Sequence, residues 1–166
     1  MLALRQPMAF DLRYVISALK VSASLEKIGD KAKGIIKKIY FLDQKIAVNI
    51  KQSLLTMLII AKNMVKDAVG AFNNHDLEQI QMVLKNDDEI DKIYNNLFEL
   101  INQDNFSRDE VKILINILFI AKDFERLADY ATNIAEITNY VISGEIGEWE
   151  IIEIRLVHHS FSEGGN

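Results

Sequence analysis

No cysteine occurs among the 166 residues. That excludes disulfides and thiolate ligands, leaves only oxygen and imidazole for any bound metal, and agrees with a reducing compartment. Proline is almost as scarce: Pro7 stands alone, and two of the seven glycines are the terminal Gly164 and Gly165, so little interrupts long helices. No stretch reaches the roughly 18 uncharged apolar residues of a membrane span, and the N-terminus lacks the basic segment and apolar run of a signal peptide. The expectation is a soluble, cytoplasmic protein. Basic charge is also lacking: the net charge is −5, and no basic stripe interleaves with aromatics, so nucleic acid is not an expected partner. Neither a Ser-His-Asp set, a glycine-rich phosphate loop nor an HExxH motif is present, which leaves an enzyme without a nucleophile. What the chain does have is 49% apolar residues at a length that makes one domain, ample for a packed core.

Those apolar residues recur at steps of three and four, the signature of amphipathic helices. The first runs over about residues 8–40 (Leu12, Val15, Leu19, Leu25, Ile28, Ile35, Ile39), with Pro7 in its first turn. A second covers about 43–73 (Ile46, Ile50, Leu54, Met57, Ala61, Met64, Ala68, Ala71) and ends in the Asn73-Asn74-His75-Asp76 cluster, a turn that supplies an N-cap to the next. The third, about 76–103, repeats Ile80, Leu84, Asp87, Asp91, Tyr94, Phe98 and Ile101, placing two aspartates on its seam. Ser107 and Glu110 form a capping box opening a fourth helix that runs to Ser143-Gly144. Loops of two to six residues between such helices make neighbours antiparallel, so the predicted fold is an all-α antiparallel bundle. Met57, Met64 and Met82 are expected in its core, and His75 at the surface. The pattern degrades after Gly144 and Gly147, and no role is assigned to the tail with Trp149, His158 and His159.

An internal repeat with a spacing of 99 residues carries the most information, because it implies a duplicated unit. Residues 25–32 (LEKIGDKA) align with 124–131 (FERLADYA), and Leu12, Val15, Ile16 and Leu19 with Val111, Leu114, Ile115 and Leu118. At 100° per residue Glu26 and Asp30 lie within about 40° of each other and continue the apolar face of Leu12, Val15 and Leu19. Glu125 and Asp129 do the same on the fourth helix, flanked by Ala121 and Ala128. Like charges at i, i+4 cost roughly 0.2–0.5 kcal/mol even when exposed, and desolvation against a neighbouring helix adds to that. A hard cation would offset it, since carboxylate oxygens suit magnesium, calcium, manganese or ferric iron. Asp87 and Asp91 form a third pair. A hairpin through 104–107 sets Asp87 opposite about position 124 and Asp91 opposite about 120, so Asp87, Asp91, Glu125 and Asp129 are expected at one level. The plainer reading of any single pair is a solvated face or half of a salt bridge, with Lys122 or Arg126 as partner.

Several segments resemble the PhoU family of phosphate-transport regulators: residues 5–13 (RQPMAFDLR), Ala18-Leu19-Lys20, Leu25 to Asp30, Phe124 to Ala135, the acidic run Asp87 to Asp91, and the Gly144-Glu145 ending. The resemblance spans about residues 1–148. It implies a pair of three-helix bundles holding metal through ExxxD or DxxxD motifs, with iron, zinc, manganese and magnesium all compatible. It implies repression of the phosphate-starvation response through the phosphate ABC transporter and a sensor histidine kinase, with the membrane reached only through partners. Carried over residue by residue, the metal motifs fall on Glu26 and Asp30 in the first copy, and on Asp87, Asp91, Glu125 and Asp129 in the second. Against the family pattern the chain starts at the third helix. Residues 1–42 then read as the remnant of a first repeat, 43–148 as a complete three-helix bundle and 149–166 as an atypical tail. The apolar stripe of Leu12, Val15, Leu19 and Ile28 requires cover, and a second copy in a homodimer or larger assembly would provide it. Two other readings of the residues are a metal-binding or storage bundle, although ExxH motifs are missing, and a degenerate structural fragment.

Overall fold

Among the described residues four helices follow from that periodicity: α1 (Ala9–Tyr40), α2 (Val48–Asn74), α3 (Leu77–Asn102) and α4 (Arg108–Ser143). The computed structural model describes residues 9–40, 42, 46–102 and 107–144. Among these there is no strand, and no helix is long and apolar enough to cross a membrane. Pro7, the segment 149–166 and most of the 104–107 loop lie outside the described residues.

Local chemistry fixes the helix ends. Ser107 accepts from the Glu110 backbone N–H, and Glu110 accepts from the Ser107 backbone N–H at 2.9 Å, which is the expected capping box. Asp76 Oδ1 accepts from the N–H groups of Glu78 (2.9 Å) and Gln79 (3.3 Å) and so starts α3. The preceding residue, His75, closes α2 from the left-handed region at φ 56°, a conformation that a non-glycine residue adopts at some cost. It stays exposed but leans on aromatic neighbours, with ring centres 5.8 Å from Tyr14 and 6.1 Å from Phe10. Gly144 ends α4 at φ 76°, where a side chain would be strained. α2 starts at Val48, later than the periodicity suggests, behind an Ala47 with no capping side chain; an uncapped start leaves little mark in a sequence.

Helices α2, α3 and α4 pack on one another, while α1 lies along α4. Lys27 sits over Tyr130, Lys31 bonds Asp123, Lys38 sits over Phe119, and Arg13 crowds Gly144. Rising numbers on one helix meet falling numbers on the other, so α1 and α4 are antiparallel. Met57, Met64, Ile90, Leu97, Ile117, Ile120, Ile134 and Val141 are fully buried, each contributing about 1.5–3 kcal/mol of transfer free energy. Two expectations need correction. Met82 is exposed at 53%, and Leu84 and Phe98 at 42% and 47%, because the buried stripe of α3 runs through Ile80, Val83, Ile90 and Leu97. The 3.6-residue period admits two neighbouring stripes here, and packing against α2 as well as α4 selects the second. On α1, Leu12, Val15 and Leu19 are uncovered as anticipated, but Ile28 is half-buried in the core.

Candidate functional site

Asp87 on α3 faces Asp129 and Thr132 on α4, with Asp91 close to both aspartates. Below them the Lys122 ammonium lies 5.3 Å from the centre of the Tyr94 ring and pairs with Glu125. All four acids of the second copy are thus brought to one stretch of the α3–α4 seam. Their register differs from the hairpin estimate, which set Asp87 opposite position 124. Side chains on a helix lean towards its N-terminus. On antiparallel partners that carries α3 side chains away from the connecting loop and α4 side chains towards it, so each α3 residue meets an α4 residue further along the chain.

The electrostatics are those of a cluster with more anions than partners. Partial burial pushes the Asp87 carboxyl up to about 6, with the charges of Asp91 and Asp129 adding to it; the Thr132 hydroxyl opposes the rise. Thr132 leans on Asp87 without completing a hydrogen bond, so its buried Oγ1 has no partner. Asp129 is raised too, first by desolvation and then by Glu125, although its outer edge meets solvent and Lys122 and Arg126 pull the other way. The exception is Glu125, largely buried and in contact with the Lys122 ammonium, whose own pKa that contact raises. Its Oε2 nonetheless lacks hydrogen-bond geometry. Lys122 is the salt-bridge partner that the plainer reading named, and it neutralises one acid of the four.

The donor set is all oxygen, partly desolvated and short of cations, which fits a hard ion such as magnesium or manganese better than a thiophilic one. As the side chains stand, no three acids or histidines among the described residues are gathered closely enough to hold an ion. The chemistry of the donors fits a cation, but their present arrangement does not gather them around one.

Comparison with known proteins identifies the lineage of this bundle. The PhoU domain model matches residues 1–39 and 54–138. The chain belongs to the PhoU domain family. A phosphate-specific transport system accessory protein PhoU homolog of Caulobacter vibrioides (strain NA1000 / CB15N) is 38% identical over 147 residues, covering 87% of this chain and 64% of that protein. Its Zymomonas mobilis counterpart is 35% identical, covering 87% and 61%. The chain therefore spans slightly less than two thirds of the length of these relatives. The crystal structure of the phosphate transport system regulatory protein PhoU from Streptococcus pneumoniae superposes with a TM-score of 0.72 at 28% identity, over 86% of this chain and 68% of that one.

The two PhoU acid motifs end in different surroundings. Glu26 and Asp30, the first-copy pair, are both exposed on α1, and Asp30 takes the Lys33 ammonium at 3.4 Å. The leading charges on Asp87 and Asp129 come from α3 and α4, so the first pair does not join the second. An acid that the motif reading passed over matters more to α1. Asp123 is 5% exposed and bridges Lys31, at 3.1 Å, and Lys38. Burial pushes its carboxyl up, but the two ammonium groups outweigh that and hold it below the ordinary carboxylate value. The repeat carried a hint of it: Asp123 aligns with Ser24, which is also buried, so both copies place a polar residue on the face where α1 and α4 meet.

Proposed function

We propose that this chain is a PhoU-type accessory regulator of phosphate uptake that works by binding rather than by catalysis. It restrains the phosphate-starvation response from the cytoplasm, through contacts with the phosphate ABC transporter and its sensor histidine kinase. Support comes from its membership of the family and from its relatives being accessory proteins of the phosphate-specific transport system. The absence of a nucleophile motif in the sequence agrees with an adaptor.

The observation that carries the site-level reading is the acidic seam between α3 and α4, where Asp87 and Asp129 are both held above their ordinary carboxylate values. Asp87, Asp91 and Asp129, with Glu125 exchanging Lys122 for the ion, would hold a hard cation there. A bound cation would supply charge neutralisation, replacing repulsion between the two helices by shared coordination. Glu26 and Asp30 form the weaker candidate, since both are open to solvent. Of iron, zinc, manganese and magnesium, the all-oxygen set favours manganese, magnesium and ferric iron over the more thiophilic zinc.

Metal content of the purified protein by plasma mass spectrometry tests it, comparing wild type with Glu125→Ala/Asp129→Ala after identical handling. Near-stoichiometric metal that disappears in the double variant is the expected result. No metal in either protein, even after loading, would reduce the seam to surface charge. A phosphate-regulated reporter in a strain lacking its own PhoU tests the regulatory reading separately, because a chain that restores repression without metal would uphold the adaptor and discard the cation.

A further inference from the structure

Towards the turn that joins α3 to α4 the seam changes character. Phe98 on α3 and Val111, Ile115 and Phe119 on α4 are exposed at 47%, 41%, 47% and 56%. Single exposed apolar residues are ordinary, but these four converge. At 100° per residue Val111, Ile115 and Phe119 share the side of α4 that carries Lys122 and Asp129, and Phe98 shares the side of α3 that carries Asp91 and Tyr94. Tyr94 meets Lys122 and Asp87 meets Asp129. The same register, carried towards the turn, sets Phe98 beside Phe119. Two lysines rim the patch, Lys38 with its ammonium 5.9 Å from the centre of the Phe119 ring and Lys122 over Tyr94, and each is already engaged by an acid, Asp123 and Glu125. The patch does not depend on what covers α1, because the open row of Leu12, Val15 and Leu19 lies on the opposite side of α1 from Ser17, Val21 and Ser24, which are buried where α1 meets α4.

Backbone and charge together select the occupant. Among the described residues there is no strand, so no sheet edge is offered to an extended peptide, whereas two antiparallel helices leave a groove that takes a third helix. One end of this groove is apolar. Ten residues of α4 separate Phe119 from Asp129, about 15 Å at 1.5 Å per residue, and there Asp87, Asp91 and Asp129 gather negative charge. The α3 wall as a whole contains six acidic and two basic residues, a net −4. We propose that the α3–α4 groove docks a basic amphipathic helix of a partner protein, its apolar residues on Phe98, Ile115 and Phe119 and its arginines or lysines on Asp91 and Asp129. The apolar contacts supply affinity and the acids fix direction, since a helix laid the other way would carry its basic end past the patch towards Lys37 and Lys38. An acidic helix meets repulsion at the seam. The inference goes beyond the phosphate-uptake reading and does not depend on it.

The test is fluorescence anisotropy of the full 166-residue chain with two labelled alanine-based helical peptides of about 20 residues, in the presence of chelator so that no cation occupies the acids. Each peptide carries three leucines on one face and, about ten residues further along that face, three arginines in one peptide or three glutamates in the other. The arginine peptide is expected to saturate the chain below about 1 mM and the glutamate peptide to bind at least about tenfold more weakly. Phe98→Asp and Phe119→Asp each weaken the arginine peptide at least about tenfold. Both changes add negative charge, so a peptide held by net charge alone would bind these variants more tightly. Ile59→Asp on α2, where Ile59 is 58% exposed, adds the same charge away from the groove and leaves the affinity unchanged. Asp91→Lys keeps the apolar patch and turns the preference towards the glutamate peptide. All four positions are exposed, and circular dichroism is expected to show unchanged helicity in each variant. Equal affinity for the two peptides, tighter binding by Phe119→Asp, an equal loss in Ile59→Asp, or no binding up to about 1 mM would overturn the proposal. So would light scattering that finds the wild type dimeric and Phe119→Asp monomeric, because the patch would then belong to a second copy.

Discussion

Asp123 and Asp87 are both aspartates on the helix seams, and the charges around them give opposite outcomes. Two lysines surround Asp123, so its lowered pKa means that it contributes stability above the unfolded carboxylate value of about 3.9, lost as the pH falls through its lower folded value. Asp123→Ala removes the anion that holds both Lys31 and Lys38. Those lysines are partly solvated, at 26% and 34%, and can turn to water, so the expected loss is about 1–3 kcal/mol in chemical denaturation at pH 7. Asp87 is surrounded by acids instead. With a folded pKa of about 6 its most favourable contribution lies below the unfolded value of about 3.9 and declines as the pH rises through 6. The shift is worth at most about 3 kcal/mol, and half-exposure reduces it to about 1. Asp87→Asn should therefore stabilise the metal-free protein by about 1 kcal/mol at pH 7 and by almost nothing at pH 4, read by urea titration in the presence of chelator. A loss of stability at pH 7 would show that the charge is compensated.

Two glycines illustrate how the helices are built and stopped. Gly34 lies inside α1 with ordinary helical dihedrals, and a Cβ there would meet Asp123 Oδ2 at a comfortable 3.9 Å. Gly34→Ala is expected to raise stability by about 0.5–1 kcal/mol, the cost of glycine's freedom in a helix interior. Gly144 lies past the end of α4 at positive φ, and a Cβ there would collide with the Arg13 guanidinium. That guanidinium sits at the negative end of α4, a favourable place for a cation. Gly144→Ala should cost about 1–2 kcal/mol through backbone strain and displacement of Arg13. Thermal unfolding of the two variants beside wild type separates the effects by sign. The periodicity already puts Gly34 inside one helix and Gly144 at the end of another, and the positive φ explains why the second position requires glycine.

On the scale of the whole molecule, cohesion is uneven. Helices α2, α3 and α4 share the fully buried residues Met57, Met64, Ile90, Leu97 and Ile117, whereas α1 is attached chiefly through one neighbour, with Val21, Ile35 and the Asp123 bridge on its inner face. Hydrogen exchange should find α1 opening below the free energy of global unfolding, with the α2–α4 amides exchanging last. Equal protection across all four helices would mean that α1 is held by more than α4, and a protection gain at higher protein concentration would identify that support as another copy.

Much of this protein is already determined by its sequence. Helix type and number follow from the 3.6-residue period and the lack of proline, the ends of α3 and α4 from Asp76 and the Ser107–Glu110 box, and the duplicated ExxxD motif from simple alignment, since each depends on residues only a few positions apart. The meeting of Asp87, Asp91 and Asp129 was foreseeable from antiparallel neighbours, but not its register, which depends on how side chains lean between facing helices. Tertiary structure alone decided that Asp123 rather than a motif acid anchors α1, and that Met82, Leu84 and Phe98 stay outside the core. Those outcomes depend on which of two adjacent stripes each helix turns inward. That choice is made by the other helices, through burial and charge pairing across distances in sequence such as the 92 residues between Lys31 and Asp123, and no local pattern records it.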